Sequence, residues 1–233
     1  MDKLCSLLFC FFFCVQLAAA QVRFVSLVPG AETSFQFGNC RQELSYLENS
    51  KYLNLEGGVY SLQVSVGGEE SISKRLGFGR SERAIIVALG NPGLSPSAGF
   101  FHRMKVRFEG QGHAFKENYA VQATVLRGSA YLDPTKAYLR ILHGATATVP
   151  LTIHCGSQKT SLKYAQATDF LPVEPGEQEV EMSPQNTSAP LLTRTLNLPA
   201  GTITYLMLAR DDRGKGKLGT LVFTDSRSEP TDR

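Results

Sequence analysis

The sequence predicts an all-β protein of two tandem antiparallel β-sandwich domains joined by a short linker, and three observations carry that expectation. Apolar residues recur at every second position in run after run, the period of a strand with one face buried. Gly, Pro, Asn and Asp punctuate these runs at short intervals, as hairpin-connected strands require. A strand, Glu-x-Gly turn, strand pattern at 52–64 returns 118 residues later at 170–182. The 3.6-residue period of an amphipathic helix appears nowhere over more than about two turns, and 157–167 is the best place for a short helix.

The elements follow in chain order. Residues 4–17 are apolar except for Ser6 and Gln16, and Ala18, Ala19 and Ala20 supply the small side chains of a signal-peptidase site. Cleavage is expected before Gln21, which makes the chain an exported, periplasmic protein with a signal peptide over 1–20. A lipoprotein signal needs small residues before Cys10 or Cys14, where Phe9 and Phe13 stand. The first domain covers 21–132. It opens with a strand at 22–28, then alternates Phe35 and Phe37 with Ser34 and Gln36, and Tyr60, Leu62, Val64 and Val66 with Ser61, Gln63 and Ser65. Gly58, and Gly176 in the repeat, are expected to take the turn conformation that a Cβ resists. Met104, Val106 and Phe108 alternate within an insertion at 90–118. Pro134 interrupts pairing at the boundary. The second domain, 137–224, opens with a strand at 138–142 and then alternates Val149, Leu151, Ile153 and Cys155 with Pro150, Thr152 and His154. A polar tail, 225–233, is expected to fray.

Composition narrows the function. Charged residues are 19% of the chain and the formal net charge is +3, without a basic run, so nucleic acid is not an expected partner. Three of the five cysteines leave with the signal, and Cys40 and Cys155 remain. They can form one bridge in an oxidising compartment or stay as apolar thiols. Their near-equivalent positions place them in separate domains, which favours free thiols unless the domains pack closely.

No constellation for catalysis stands out, and the chain reads as a non-enzyme with no cofactor and no metal. The sequence has neither a G-x-S-x-G elbow nor an H-E-x-x-H helix. The histidines, His102, His113, His143 and His154, fall in loops, at strand ends or on an outward face. Gly214, Gly216 and Gly219 match G-x-G-x-x-G but precede a strand rather than a helix, so a hairpin loop accounts for them. Asp211 and Asp212 stand beside Arg213, Lys215 and Lys217, a poor oxygen cage for calcium. Without tryptophan, a sugar-stacking platform must come from Tyr or Phe. Phe100 and Phe101 beside Arg103, in the insertion, form the candidate partner surface, with burial of both rings in the domain core as the alternative.

The exported chain, its two β domains and the spaced Leu55, Gly58, Tyr60 and Val64 resemble AlgF, the accessory protein of alginate O-acetylation. So does the run Lys136, Ala137, Tyr138, Leu139, Arg140 that opens the second domain. The resemblance implies a non-catalytic adaptor in exopolysaccharide O-acetylation. Its partners would be periplasmic acetyltransferases and a membrane O-acyltransferase system, and polysaccharide in addition. Leu198, Pro199, Ala200, Gly201 and Thr202 resemble the strand-pair motif of the extracellular DUF4397 repeats. That likeness implies the alternative function, an extracellular carbohydrate-binding or adhesion module.

Overall fold

A computed structural model describes residues 19–91, 120–128, 133–146, 149–185, 187, 189–210 and 218–226. Seventeen strands are defined there. They are β1 (Ala20–Ser26), β2 (Thr33–Phe37), β3 (Cys40–Leu44), β4 (Glu48–Asn49), β5 (Leu53–Leu55), β6 (Gly58–Val66), β7 (Glu69–Phe78), β8 (Arg83–Leu89) and β9 (Gln122–Arg127). The second half contributes β10 (Ala137–His143), β11 (Leu151–Cys155), β12 (Gln158–Leu162), β13 (Leu171–Val173), β14 (Gly176–Pro184), β15 (Leu192–Leu198), β16 (Thr202–Arg210) and β17 (Leu218–Ser226). The all-β expectation holds.

The repeat is visible in the topology. The first half forms an outer sheet ordered β3-β2-β6-β7 and an inner sheet ordered β4-β1-β8-β9, with β5 also on β1. The second half forms β12-β11-β14-β15 and β13-β10-β16-β17. The starts of β2 and β11, and of β6 and β14, are 118 residues apart, the spacing of the sequence repeat. Period-two alternation builds the outer sheets. Phe35, Phe37, Leu62, Val64 and Val66 point inward and are buried, as are Leu151, Ile153, Cys155, Val180 and Met182.

The inner sheets depart from the expected pattern. Each contains one parallel pair, β1 with β8 and β10 with β16, so the domains are not purely antiparallel. Both faces of these strands are covered. Val22, Phe24, Ala84, Ile86 and Ala88 face the first outer sheet, whereas Val25, Leu27, Ile85, Val87 and Leu89 face the second half. There they meet Leu142, Ile203, Tyr205, Met207 and Ala209. Leu139, Ile141, Leu206 and Leu208 complete the second half's own core. Strands buried on both faces lose alternation and become nearly continuous apolar runs, hence Ala84-Ile85-Ile86-Val87-Ala88-Leu89, and Ile203 to Ala209 interrupted by the buried Thr204. The molecule is therefore four layers deep, outer–inner–inner–outer, and the halves share a core rather than only a linker. At that shared core Gly144 lets the chains approach. A Cβ there would stand 2.7 Å from the Leu208 carbonyl oxygen and 2.8 Å from Leu27 Cδ1.

Four local expectations are corrected. Residues 157–167 hold no helix, because β12 pairs antiparallel with β11 from Leu151↔Leu162 to Cys155↔Gln158. Gly176 has φ +113°, but Gly58 does not adopt positive φ; the crowded glycine is Gly57, whose Cβ would lie 3.1 Å from Arg80 Cγ. Cys155 ends β11, whose counterpart in the first half ends at Phe37, whereas Cys40 opens β3, so the cysteines are not equivalent. Asp225 and Ser226 belong to β17, not to a frayed tail, and Asp225 is buried.

Candidate functional site

The outward positions of the first outer sheet form a polar grid. Thr33, Phe35 and Phe37 turn into the core, so Ser34 and Gln36 of β2 turn outward. Register then sets their neighbours. Gln36 lies opposite Arg41 of β3 and Gln63 of β6; Ser34 lies opposite Glu43 and Ser65. Directly opposed side chains in an antiparallel pair are about 5 Å apart at Cβ. Two rungs result, Arg41–Gln36–Gln63 and Glu43–Ser34–Ser65. Glu32 and the β6–β7 turn, Gly67 and Gly68, close one end of a groove of about 440 Å³ over these rungs. The turn takes φ +58° and +89° at its two glycines, and Gly67 N–H donates to the Glu32 carbonyl oxygen at 3.1 Å.

The groove's electrostatics are simple. Arg41 Nη2 donates to Glu43 Oε1 at 2.5 Å, with both side chains about half exposed. Such a pair adds little stability in water but engages the guanidinium. Gln36 Nε2 donates to the Gly38 carbonyl oxygen at 2.8 Å, which holds the amide across the strand. Amides and hydroxyls on a rigid sheet can position a ligand by hydrogen bonds. On the other outer sheet the corresponding row is Lys159, His154 and Glu181.

A second polar cluster bridges the halves. Arg23 Nη1 lies 3.0 Å from Asp225 Oδ1, and the Tyr52 hydroxyl donates to Asp225 Oδ2. The Arg23 guanidinium also sits 4.2 Å from the Tyr52 ring centroid and 4.9 Å from that of Phe223. Burial, and then the Asp225 carboxylate, hold the Tyr52 phenol far above its ordinary value. Burial likewise pushes Tyr205 up to about 12. Gln21 Oε1 accepts from Arg83 Nε at 3.0 Å and Nη2 at 2.7 Å. Both carboxylate oxygens of Asp225 are engaged by protein, Oδ1 by Arg23 and Oδ2 by Tyr52, so the cluster ties the halves together.

The remaining residues of interest are separate. Cys40 is half-buried, Cys155 is buried, and both are free thiols; burial raises the Cys155 pKa. His154 is half-exposed on an outward face. His143 stands at a strand end, as expected, closing β10, but it is fully buried rather than at the surface; burial lowers its pKa to about 4, against the effect of a hydrogen bond with the Val149 backbone. Phe100, Phe101 and Arg103 lie outside the described residues, as do His102, His113, Asp211, Asp212 and the 214–217 loop. Among the described residues, no three His, Cys, Asp or Glu side chains gather to hold a metal.

Sequence reasoning separated the outward residues of β2 and β6 from the inward ones, but not the rungs they build. Rungs depend on register, which the alternation alone leaves open. The Arg23–Tyr52–Asp225 cluster carried no local signal, since Tyr52 and Asp225 are 173 residues apart.

Comparison with known proteins adds a partial match. No curated protein matches the chain. Among solved structures, a candidate cell-adhesion protein from Bacteroides ovatus is similar at 8% identity, over 90% of this chain and 97% of that one. Its TM-score of 0.22 is too low to bear on fold or function. Residues 137–233 match the family model described as DUF4397, a domain of unknown function, and that segment takes in β10 to β17.

Proposed function

We propose that this protein is an exported, non-enzymatic binding module whose first outer sheet takes a saccharide chain. The observation that carries the reading is the pair of polar rungs beneath the groove. Gln36 and Gln63 lie side by side, as do Ser34 and Ser65, on strands whose opposite faces are anchored in a buried core. Hydroxyls along a sugar chain both donate and accept, and so do amide and hydroxyl side chains. The site lacks an aromatic platform, so recognition would run through these hydrogen bonds. The DUF4397 match over 137–233 supports a β-repeat module but names no ligand.

The narrower reading, an adaptor of alginate-type O-acetylation in the periplasm, draws its support from the Leu55, Gly58, Tyr60 and Val64 spacing and from the run Lys136, Ala137, Tyr138, Leu139, Arg140. The two readings differ in what the protein holds. Sedimentation of the exported chain with insoluble polysaccharides should show binding. Gln36→Ala with Gln63→Ala, both away from the core, should weaken it at least about tenfold, at roughly 1 kcal/mol per lost hydrogen bond, with an unchanged thermal midpoint. Capture of acetyltransferases without affinity for any polysaccharide would favour the adaptor and reject the saccharide site.

A further inference from the structure

The groove has the shape of a bowl rather than a channel, and the shape decides which part of a saccharide fits it. This step rests on the saccharide reading above. The floor is made of short side chains, Ser34 and Ser65, both half-buried. The rim is made of long ones, Glu32, Arg41, Glu43 and Gln63, all exposed. Register produces the contrast. Ser34 and Ser65 face each other across β2 and β6, and successive residues on one face of a strand stand about 7 Å apart. The serine rung therefore lies between the Arg41–Gln36–Gln63 rung on one side and Glu32 with the β6–β7 turn on the other. Gly67, bonded to the Glu32 carbonyl oxygen at 3.1 Å, also rests on the chain that enters β2: a Cβ on it would lie 3.7 Å from Ala31 Cβ. The β6–β7 ladder shifts register between Val64 and Ser65, and such an irregularity bends a strand.

We infer that the groove takes a projecting sugar, the end of a chain or a side branch, and not an internal stretch of chain. An internal stretch continues in both directions, so it must leave the groove at both ends. One end is closed by Glu32 and the glycine turn. A projecting sugar needs a single opening. The groove, about 440 Å³, is at the lower end of the size range of small-ligand clefts. A sugar inside it has the serine hydroxyls below and the Gln63 amide at the rim within hydrogen-bonding reach. Enclosure from several sides also supplies the contact that a flat stretch of chain draws from an aromatic ring, and the lining includes no such ring.

Calorimetric titration of the protein with linear glucan oligosaccharides, a cyclic glucan of the same linkage, and long linear and branched soluble glucans tests this. The disaccharide and the hexasaccharide should bind within about threefold of each other, and the cyclic glucan, which has no end, at least about tenfold more weakly. The two ends of a chain differ chemically, so a long linear glucan should hold one protein per chain. Binding to the branched glucan in proportion to its branches identifies the branch as the source, and one protein per chain there identifies the terminus. Ser34→Leu, which raises the floor, should weaken disaccharide binding at least about tenfold with an unchanged thermal midpoint. Affinity that climbs steeply with length, with protein bound in proportion to linear chain length and lost in Gln36→Ala with Gln63→Ala, would overturn the inference while leaving the saccharide site in place. A cyclic glucan bound as tightly as the linear chain, or Ser34→Leu without effect, would overturn it equally. Failure of every glucan to bind would remove the saccharide reading, and the inference with it.

Discussion

His143 shows how a single side chain can be misjudged from sequence. It precedes Gly144 and looks like the end of a strand running into solvent. It is instead fully buried, with the Tyr164 ring edge-on at 6.2 Å. Burial disfavours the charged imidazolium, so the folded pKa falls from 6.5 to about 4. The unfolded chain takes up this proton as pH falls through 6.5, but the folded chain does not until about pH 4. Stability is thus fully present above 6.5 and declines through that window, by about 3 kcal/mol from this group. Urea unfolding of the native chain and of His143→Phe at pH 7, 6, 5 and 4.5 should show a steeper decline for the native chain. Parallel declines would mean that His143 titrates alike in both states.

At the level of strands, the outer sheets were the legible part and the inner sheets were not. β2, β6 and β11 alternate because water lies on one side and core on the other, and that contrast is written locally. β8 and β16 are apolar on both faces, so their sequences give no face preference and no hint of parallel pairing. The expected helix at 157–167 failed because Leu162 is held by its cross-strand pair with Leu151, a contact that local propensity does not encode. The clamp between β1 and β17 follows from the same non-local packing. Asp225 is buried between Arg23 and Tyr52, so Asp225→Ala should strand a buried guanidinium and cost about 3–5 kcal/mol. Adding Arg23→Met should recover part of that loss, because the unpaired charge is then gone. Denaturant unfolding of the two single variants and the double variant measures the coupling, and strict additivity would show that the pair does not act as a unit.

Across the whole molecule, four layers place the two outer sheets on opposite sides of a shared interior. The duplication was readable because the Glu-x-Gly turn recurs at a fixed spacing, and the topology follows it in every strand but the two-residue β4. The union of the halves was not readable, because the residues that join them face each other only after both have folded. One consequence is that the outer surfaces are free to differ. The first presents the Gln–Ser grid, and the second presents the Lys159, His154 and Glu181 row. The account places saccharide binding on the first alone. The most direct measurement is a map of backbone and side-chain amide shifts in the isotope-labelled protein, titrated with a neutral hexasaccharide. The account predicts saturable shifts at the Gln36 and Gln63 side-chain amides and along β2, β3 and β6, with β11, β12 and β14 unmoved. Shifts confined to the second outer sheet, or to Phe100, Phe101 and Arg103, would contradict it.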